Sequence, residues 1–174
     1  KKENFFQGMV LSTQNAEFVI TTDASMKGWG AHMRDAQISG KWDHETAASR
    51  HINWLEMKAV SLALKHFQQE VQGKVVLIRT DNSTVISYLN RQGGTKSPSL
   101  CLLIWELLNW CKEMRMTVKA THIPGKKNII ADRLSRGKTT KNTEWSLVQV
   151  VANQVFQMWD RPHIDLFATN KNKK

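Results

Sequence analysis

Phe18-Val19-Ile20-Thr21-Thr22-Asp23-Ala24-Ser25 runs apolar and β-branched residues straight into a carboxylate, with Gly28 and Gly30 close behind. An unbroken run of this kind is predicted to be a strand buried on both faces. An acid at its end is costly there unless it is paired or holds a metal. Val75-Val76-Leu77-Ile78-Arg79-Thr80-Asp81 repeats the design. Two such strands would bring two carboxylates to one place.

Working outward, residues 17–24, 28–33 and 36–42 read as three strands joined by short connections, which favours an antiparallel meander. Gly28-x-Gly30 weakens an ordinary strand and suits a place where another backbone or a ligand comes close. Residues 43–52 read as a polar connection. A helix starts at Asn53 and continues through Phe67 with apolar periodicity, and Glu56 falls on its Val60, Ala63 and Phe67 stripe. A carboxylate therefore begins a face that should be buried.

The strand ending in Asp81 is followed by a helix over 84–91, which Asn82 or Ser83 can cap. A Leu- and Trp-rich helix over 99–114 places Trp105 and Trp110 mainly in the core. A fifth strand over 117–122 and a short helix over 128–134 follow. Strand–helix–strand alternation implies parallel pairing, so the chain reads as α/β: a five-stranded mixed sheet, three strands antiparallel and two parallel, flanked by helices.

The length of 174 residues suits one domain with a genuine core, with room for an appendage. Cys101 and Cys111 lack metal-ligand spacing and fit a reduced, intracellular setting, cytoplasmic or nuclear. No apolar run approaches the ~20 residues that span a bilayer, so no membrane partner is expected. The chain opens on Lys1-Lys2 rather than Met, which suggests a piece of a longer polypeptide. Net charge is +10, and residues 126–141 hold six basic side chains against Asp132 alone. A stripe of this kind points to a polyanion, nucleic acid first.

Asp23, Glu56, Asp81 and Asp132, with His122 ten residues before the last, form an acid set without matching buried bases. Such a set suits hard divalent cations, which prefer oxygen ligands. Two such ions about 3.5–4 Å apart can stabilise the attacking and leaving oxygens of a phosphoryl displacement. An acidic centre in basic surroundings points to a nuclease. Each residue also has a plainer reading. Asp23 could cap a turn, Asn53-x-x-Glu56 is a capping-box pattern, and Asp81 could cap the next helix. Asp132 could pair with Arg133 or Arg136, and His122 could be an ordinary strand-end histidine.

Thr22-Asp23-Ala24-Ser25, Leu55-Glu56, Thr80-Asp81-Asn82 and His122-Ile123-Pro124-Gly125-x-x-Asn128-x-x-Ala131-Asp132-x-Leu134-Ser135-Arg136 together resemble the ribonuclease H domain of retroelement reverse transcriptases. The last element is similar to gypsy-type elements. Gly28-Trp29-Gly30-Ala31-His32, Gln92-Gly93-Gly94-Thr95 and Pro162–Thr169 are more like DIRS-type ones. The resemblance implies a ribonuclease H-like fold that hydrolyses the RNA strand of RNA/DNA hybrids during reverse transcription. It implies two Mg²⁺ ions, with Mn²⁺ able to substitute, held by Asp23, Glu56, Asp81 and Asp132, and His122 assisting proton movement or product release. Substrate contacts are expected from Ala24, Ser25, Gly28, Asn82, Lys126, Lys127, Asn128 and Arg136. Implied partners are the hybrid and covalently linked polymerase and polyprotein domains.

The domain expectation is a flank over 1–16, a catalytic domain over 17–136, and a basic linker, amphipathic helix and start of a next segment over 137–174. Cellular relatives insert a helix and basic loop where this chain has only residues 92–98, so low isolated activity, or a hybrid-binding connection module, is the alternative. A transposase or integrase of the same fold fits the His122–Asp132 interval poorly.

Overall fold

A computed structural model describes residues 15–137, and Gln157 beyond them. The chain divides into two compact units, Lys1–Thr139 and Thr140–Lys174, and the sheet and its helices belong to the first. Apart from Gly137 and Gln157, the linker, amphipathic helix and next segment expected over 137–174 lie outside the described residues, as does most of the 1–16 flank.

The strands are β1 (Phe18–Ala24), β2 (Gly28–Met33), β3 (Ala36–Lys41), β4 (Val75–Thr80) and β5 (Thr117–His122). They form one sheet in the order β3-β2-β1-β4-β5, antiparallel from β3 to β1 and parallel from β1 to β5. The mixed topology is the one that the strand pattern implies. Parallel register sets Phe18 opposite Val76 and Thr21 opposite Arg79. The same offset carried two residues further brings Asp81 level with Asp23, at the carboxyl ends of both strands.

The helices are α1 (His44–Ser49), α2 (Ile52–His66), α3 (Gln68–Val71), α4 (Ser83–Asn90), α5 (Pro98–Glu113) and α6 (Ile129–Ser135), with a 3₁₀ turn at Gly125–Lys127. α2 packs on β1, β2 and α5, and Leu55, Met57, Val60, Leu64 and Phe67 join Ile20, Val76, Ile78, Ile104 and Leu107 in the core. Burial of this α2 stripe is the main apolar contribution that the sequence period foretold.

Several local expectations are corrected. The connection over 43–52 contains α1, capped by Asp43, whose carboxylate accepts from the Thr46 amide at 2.7 Å and the Thr46 hydroxyl at 2.8 Å. α1 buries no residue, so no apolar period announces it. α2 begins one residue early, because His51 rather than Asn53 is its N-cap, with Nδ1 accepting from the Asn53 amide at 3.2 Å. The capping-box reading of Asn53 and Glu56 therefore falls. Trp105 is 63% exposed rather than core, since the α5 stripe runs through Leu100, Leu103, Ile104 and Leu107 instead.

α6 lies against β1, β2 and β3, and Gly30 permits it. A Cβ at Gly30 would come within 2.3 Å of Leu134 Cβ, 2.7 Å of the Ala131 carbonyl oxygen and 2.8 Å of the Ser135 amide. Two of these neighbours are backbone and have no flexible end to yield. Gly30→Ala is therefore expected to cost about 1–3 kcal/mol by overpacking, read as a thermal midpoint several degrees lower. An unchanged midpoint would show that α6 is not packed on β2 in this way.

Candidate active site

β1 delivers Asp23 and the residue after β4 is Asp81, while α2 brings Glu56 over from its first turns. One oxygen from each of the three carboxylates lies within 4.8 Å of the others. Glu56 is 5% exposed and Asp23 6%, whereas Asp81 is exposed. The α2 stripe explains this placement: a helix that must bury Val60 and Ala63 also buries Glu56, one turn earlier, under the end of β1.

Burial drives the electrostatics. Glu56 is pushed from its ordinary 4.5 up to about 8, chiefly by desolvation and further by the charges of Asp23 and Asp81, while a hydrogen bond from the Ala24 backbone opposes the rise. Asp23 rises to about 6, again chiefly by desolvation. A hydrogen bond from Ser135 opposes that rise, Asp81 and Asp132 add to it, and Arg136 lowers it. Among the described residues, Glu56 Oε2 is buried without a hydrogen-bond partner. Converging oxygen ligands, two of them desolvated and one unpartnered, match what a hard divalent cation takes, and the cluster is a candidate site for one.

α6 supports Asp23 from behind. Ser135 Oγ donates to Asp23 Oδ2 at 2.6 Å. Asn128 Nδ2 donates to the Thr22 carbonyl at 3.1 Å and stands 3.4 Å from Asp23 Oδ1. Asp132 is not in the close trio. It is near enough to raise Asp23, but its carboxylate is held by Arg136 Nε at 2.6 Å, an i,i+4 pair. The plainer reading of Asp132 as an ion pair is thus realised in this structure.

His122 is exposed at the end of β5, opposite Thr80. The turn after it runs against the cluster: a Cβ at Gly125 would sit 3.1 Å from Asp81 Oδ2. Lys126 and Lys127, both exposed, are thereby carried to its border.

The expected substrate contacts divide. Asn128 is 1% exposed, and its amide serves Thr22 and Asp23. The backbone donors expected at Ala24, Ser25 and Gly28 are spent internally. Ala24 serves Glu56, the Ser25 amide donates to the Gly28 carbonyl at 2.9 Å, and the Gly28 amide to Ser25 Oγ at 3.4 Å. Arg136 is engaged by Asp132. Asn82 caps α4, accepting from the Thr84 and Val85 amides, and donates to Asn53 Oδ1 at 2.9 Å. This excludes Asp81 as the cap.

The sequence reading gave Asn53 and Ser135 no role at the site and missed a cation–aromatic stack. In that stack the Arg50 guanidinium lies 4.7 Å and the Lys58 ammonium 5.9 Å from the Trp54 ring centroid. Arg50-x-x-x-Trp54-x-x-x-Lys58 at helical spacing was the available signal for it. Ser135 stood in the quoted Leu134-Ser135-Arg136 element, but nothing local tied it to Asp23.

Comparison with known proteins adds the lineage. A match to the family described as the RNase H-like domain found in reverse transcriptase covers residues 13–109. That range includes Asp23, Glu56 and Asp81 and stops before His122 and Asp132. The enzymatic polyprotein of Carnation etched ring virus is 31% identical over 136 residues, 72% of this chain, and the chain spans 20% of that polyprotein. Among solved structures, RNase H1 from the halophilic archaeon Halobacterium salinarum NRC-1 matches with a TM-score of 0.58 at 17% identity, covering 70% of this chain and 96% of that one. LC11-RNase H1, solved with an RNA/DNA hybrid, matches with a TM-score of 0.60 at 20% identity, covering 74% and 100%. These structural likenesses show the fold. With more than half its length matched by the family, the chain belongs to the RNase H-like domains found in reverse transcriptases.

Proposed function

We propose that this domain hydrolyses the RNA strand of RNA/DNA hybrids endonucleolytically during reverse transcription, leaving 5′-phosphate and 3′-hydroxyl ends. The observation that carries the reading is the meeting of Asp23, Glu56 and Asp81 within 4.8 Å, in a chain of this family. The LC11 relative solved with a hybrid supports the substrate class. The viral relative, an enzymatic polyprotein, supports a setting of covalently joined domains, and the occurrence of this family in reverse transcriptase supports a polymerase among them.

Asp23, Glu56 and Asp81 would hold Mg²⁺, with Mn²⁺ able to replace it, and Asp132 would join them on release from Arg136. When bound, two such ions supply an activated water and charge stabilisation at the leaving oxygen. The chain's own residues do the rest. Lys126 and Lys127 meet backbone phosphates beside Asp81. Asn82 and Asn53 present amides at the cluster's edge. His122, exposed at the end of β5, assists proton movement or product release.

The deciding experiment is incubation of labelled hybrid with the chain and Mg²⁺: RNA-strand cuts support the proposal, and an intact RNA strand refutes it. A catalytically weak hybrid-binding module is the second reading, favoured by the Arg136 grip on Asp132. Binding without cleavage would select it. Replacing Lys126 and Lys127 with Gln should weaken hybrid binding and reduce its salt slope by about 2, roughly one per lost phosphate contact. Undiminished binding would remove the basic turn from the substrate surface.

A further inference from the structure

Asp23 is approached from one helix at both of its oxygens. Ser135 Oγ donates to Oδ2 at 2.6 Å, and Asn128 Nδ2 stands 3.4 Å from Oδ1. Asn128 is the N-cap residue of α6 and Ser135 is its last residue, and each is 1% exposed. We infer that Ser135 is a positioning residue for cation capture: its hydroxyl holds Asp23 in the orientation from which the Asp23–Glu56–Asp81 cluster takes a divalent cation. The inference rests on the cation-holding reading of that cluster.

Carboxylates whose oxygens crowd within 4.8 Å repel one another when ionised. An untethered Asp23 relieves that repulsion by rotating away. An ionised carboxylate has about four acceptor positions on its two oxygens. One donor on Oδ2, with the amide beside Oδ1, fixes the group and still leaves each oxygen able to ligate.

The serine hydroxyl has one proton and two acceptors within reach, Asp23 Oδ2 at 2.6 Å and the Asp132 carbonyl at 2.9 Å. The charged acceptor at the shorter distance takes it. Left to local preference, a serine at this point of a helix would bond back to the carbonyl. A second tie secures the arrangement, because Ser25 Oγ donates to the Ser135 carbonyl at 2.7 Å. The end of β1 and the end of α6 are therefore joined twice, through residues far apart in sequence.

Partners that orient a metal ligand from behind change metal affinity by about 10–100-fold when removed. The test uses the full 174-residue chain, with Mn²⁺ as the probe, titrated by calorimetry and by loss of its free electron-resonance signal. Ser135→Ala is expected to weaken Mn²⁺ binding by about 10–100-fold, and Ser135→Thr to restore it to within about threefold. Leu134→Ala, which strips a half-buried α6 side chain beyond its Cβ without touching Asp23, should lower the melting temperature and leave Mn²⁺ affinity in place.

Wild-type affinity in Ser135→Ala overturns the inference. So does an equal loss in Leu134→Ala, since Ser135 would then act only through the docking of its helix. Should Ser135→Ala fail to fold, Ser135→Cys makes the same comparison with a similar volume and a weak donor. A wild-type chain that takes no Mn²⁺ refutes the cation reading itself. Wild-type binding with an unaffected Ser135→Ala refutes this inference alone.

Discussion

Asp23→Asn is expected to reduce RNA-strand cleavage by roughly 10³-fold or more, about 4 kcal/mol of barrier, while the domain stays folded. Asp23 is the carboxylate on which the arrangement converges: it lies at the end of β1, shares the cluster with Glu56 and Asp81, and is backed by Ser135 and Asn128. An amide cannot supply the negative charge that a cation requires, but its oxygen can still accept from Ser135. The fold should therefore survive. Because burial raises Asp23 to about 6, its ionised form is a cost to the cation-free fold near pH 8. Asp23→Asn should melt no lower than wild type there. Labelled-hybrid cleavage with Mg²⁺, alongside thermal melts of both proteins, makes the comparison. Wild-type cleavage by the variant would remove Asp23 from the chemistry.

The second large effect concerns stability against pH. Glu56 is raised from 4.5 to about 8 and Asp23 from 3.8 to about 6. Between the ordinary and the raised values the folded chain keeps protons that the unfolded chain has released. Folding stability from these groups is thus fully present below about pH 4 and falls as pH climbs through 6 and then 8. A tenfold change in proton affinity is worth about 1.4 kcal/mol, so Glu56 alone contributes a loss of a few kcal/mol.

Glu56→Gln removes the titration. In EDTA at about pH 8 the variant should melt several degrees above wild type, and the gap should close toward about pH 5. A divalent cation binds the ionised carboxylates, so millimolar Mg²⁺ should raise the wild-type midpoint more at the higher pH. The variant should lose most of that gain. Scanning calorimetry across this range, with and without Mg²⁺, gives all of these quantities. A wild-type-minus-variant difference that stays flat with pH would mean that Glu56 is not buried against the other acids.

The parts legible in the sequence share one property: their signal is local and periodic. The unbroken runs over 18–24 and 75–80 announce buried parallel neighbours, and the α2 stripe places Glu56 inside before any fold is known. The parts that were not legible either bury nothing or depend on distant partners. α1 contributes no residue to the core, so hydrophobic period says nothing of it. Trp105 looks like core in composition, yet it sits on the outward side of α5, where a one-residue phase difference decides exposure. Asn128, expected as a substrate contact, is buried at the start of α6, where its amide donates to the Thr22 carbonyl.

By itself, then, the sequence determined the strand and helix alternation, the mixed sheet and the identity of the acids, because apolar spacing and residue chemistry are properties of short stretches. The tertiary structure alone decided that Asp23, Glu56 and Asp81 close into a trio while Asp132 turns to Arg136. It alone decided that Ser135 reaches Asp23 across 112 residues of chain. The physical reason is that these contacts depend on strand register and on how closely a helix can approach a glycine. Both are set only when separate elements pack together.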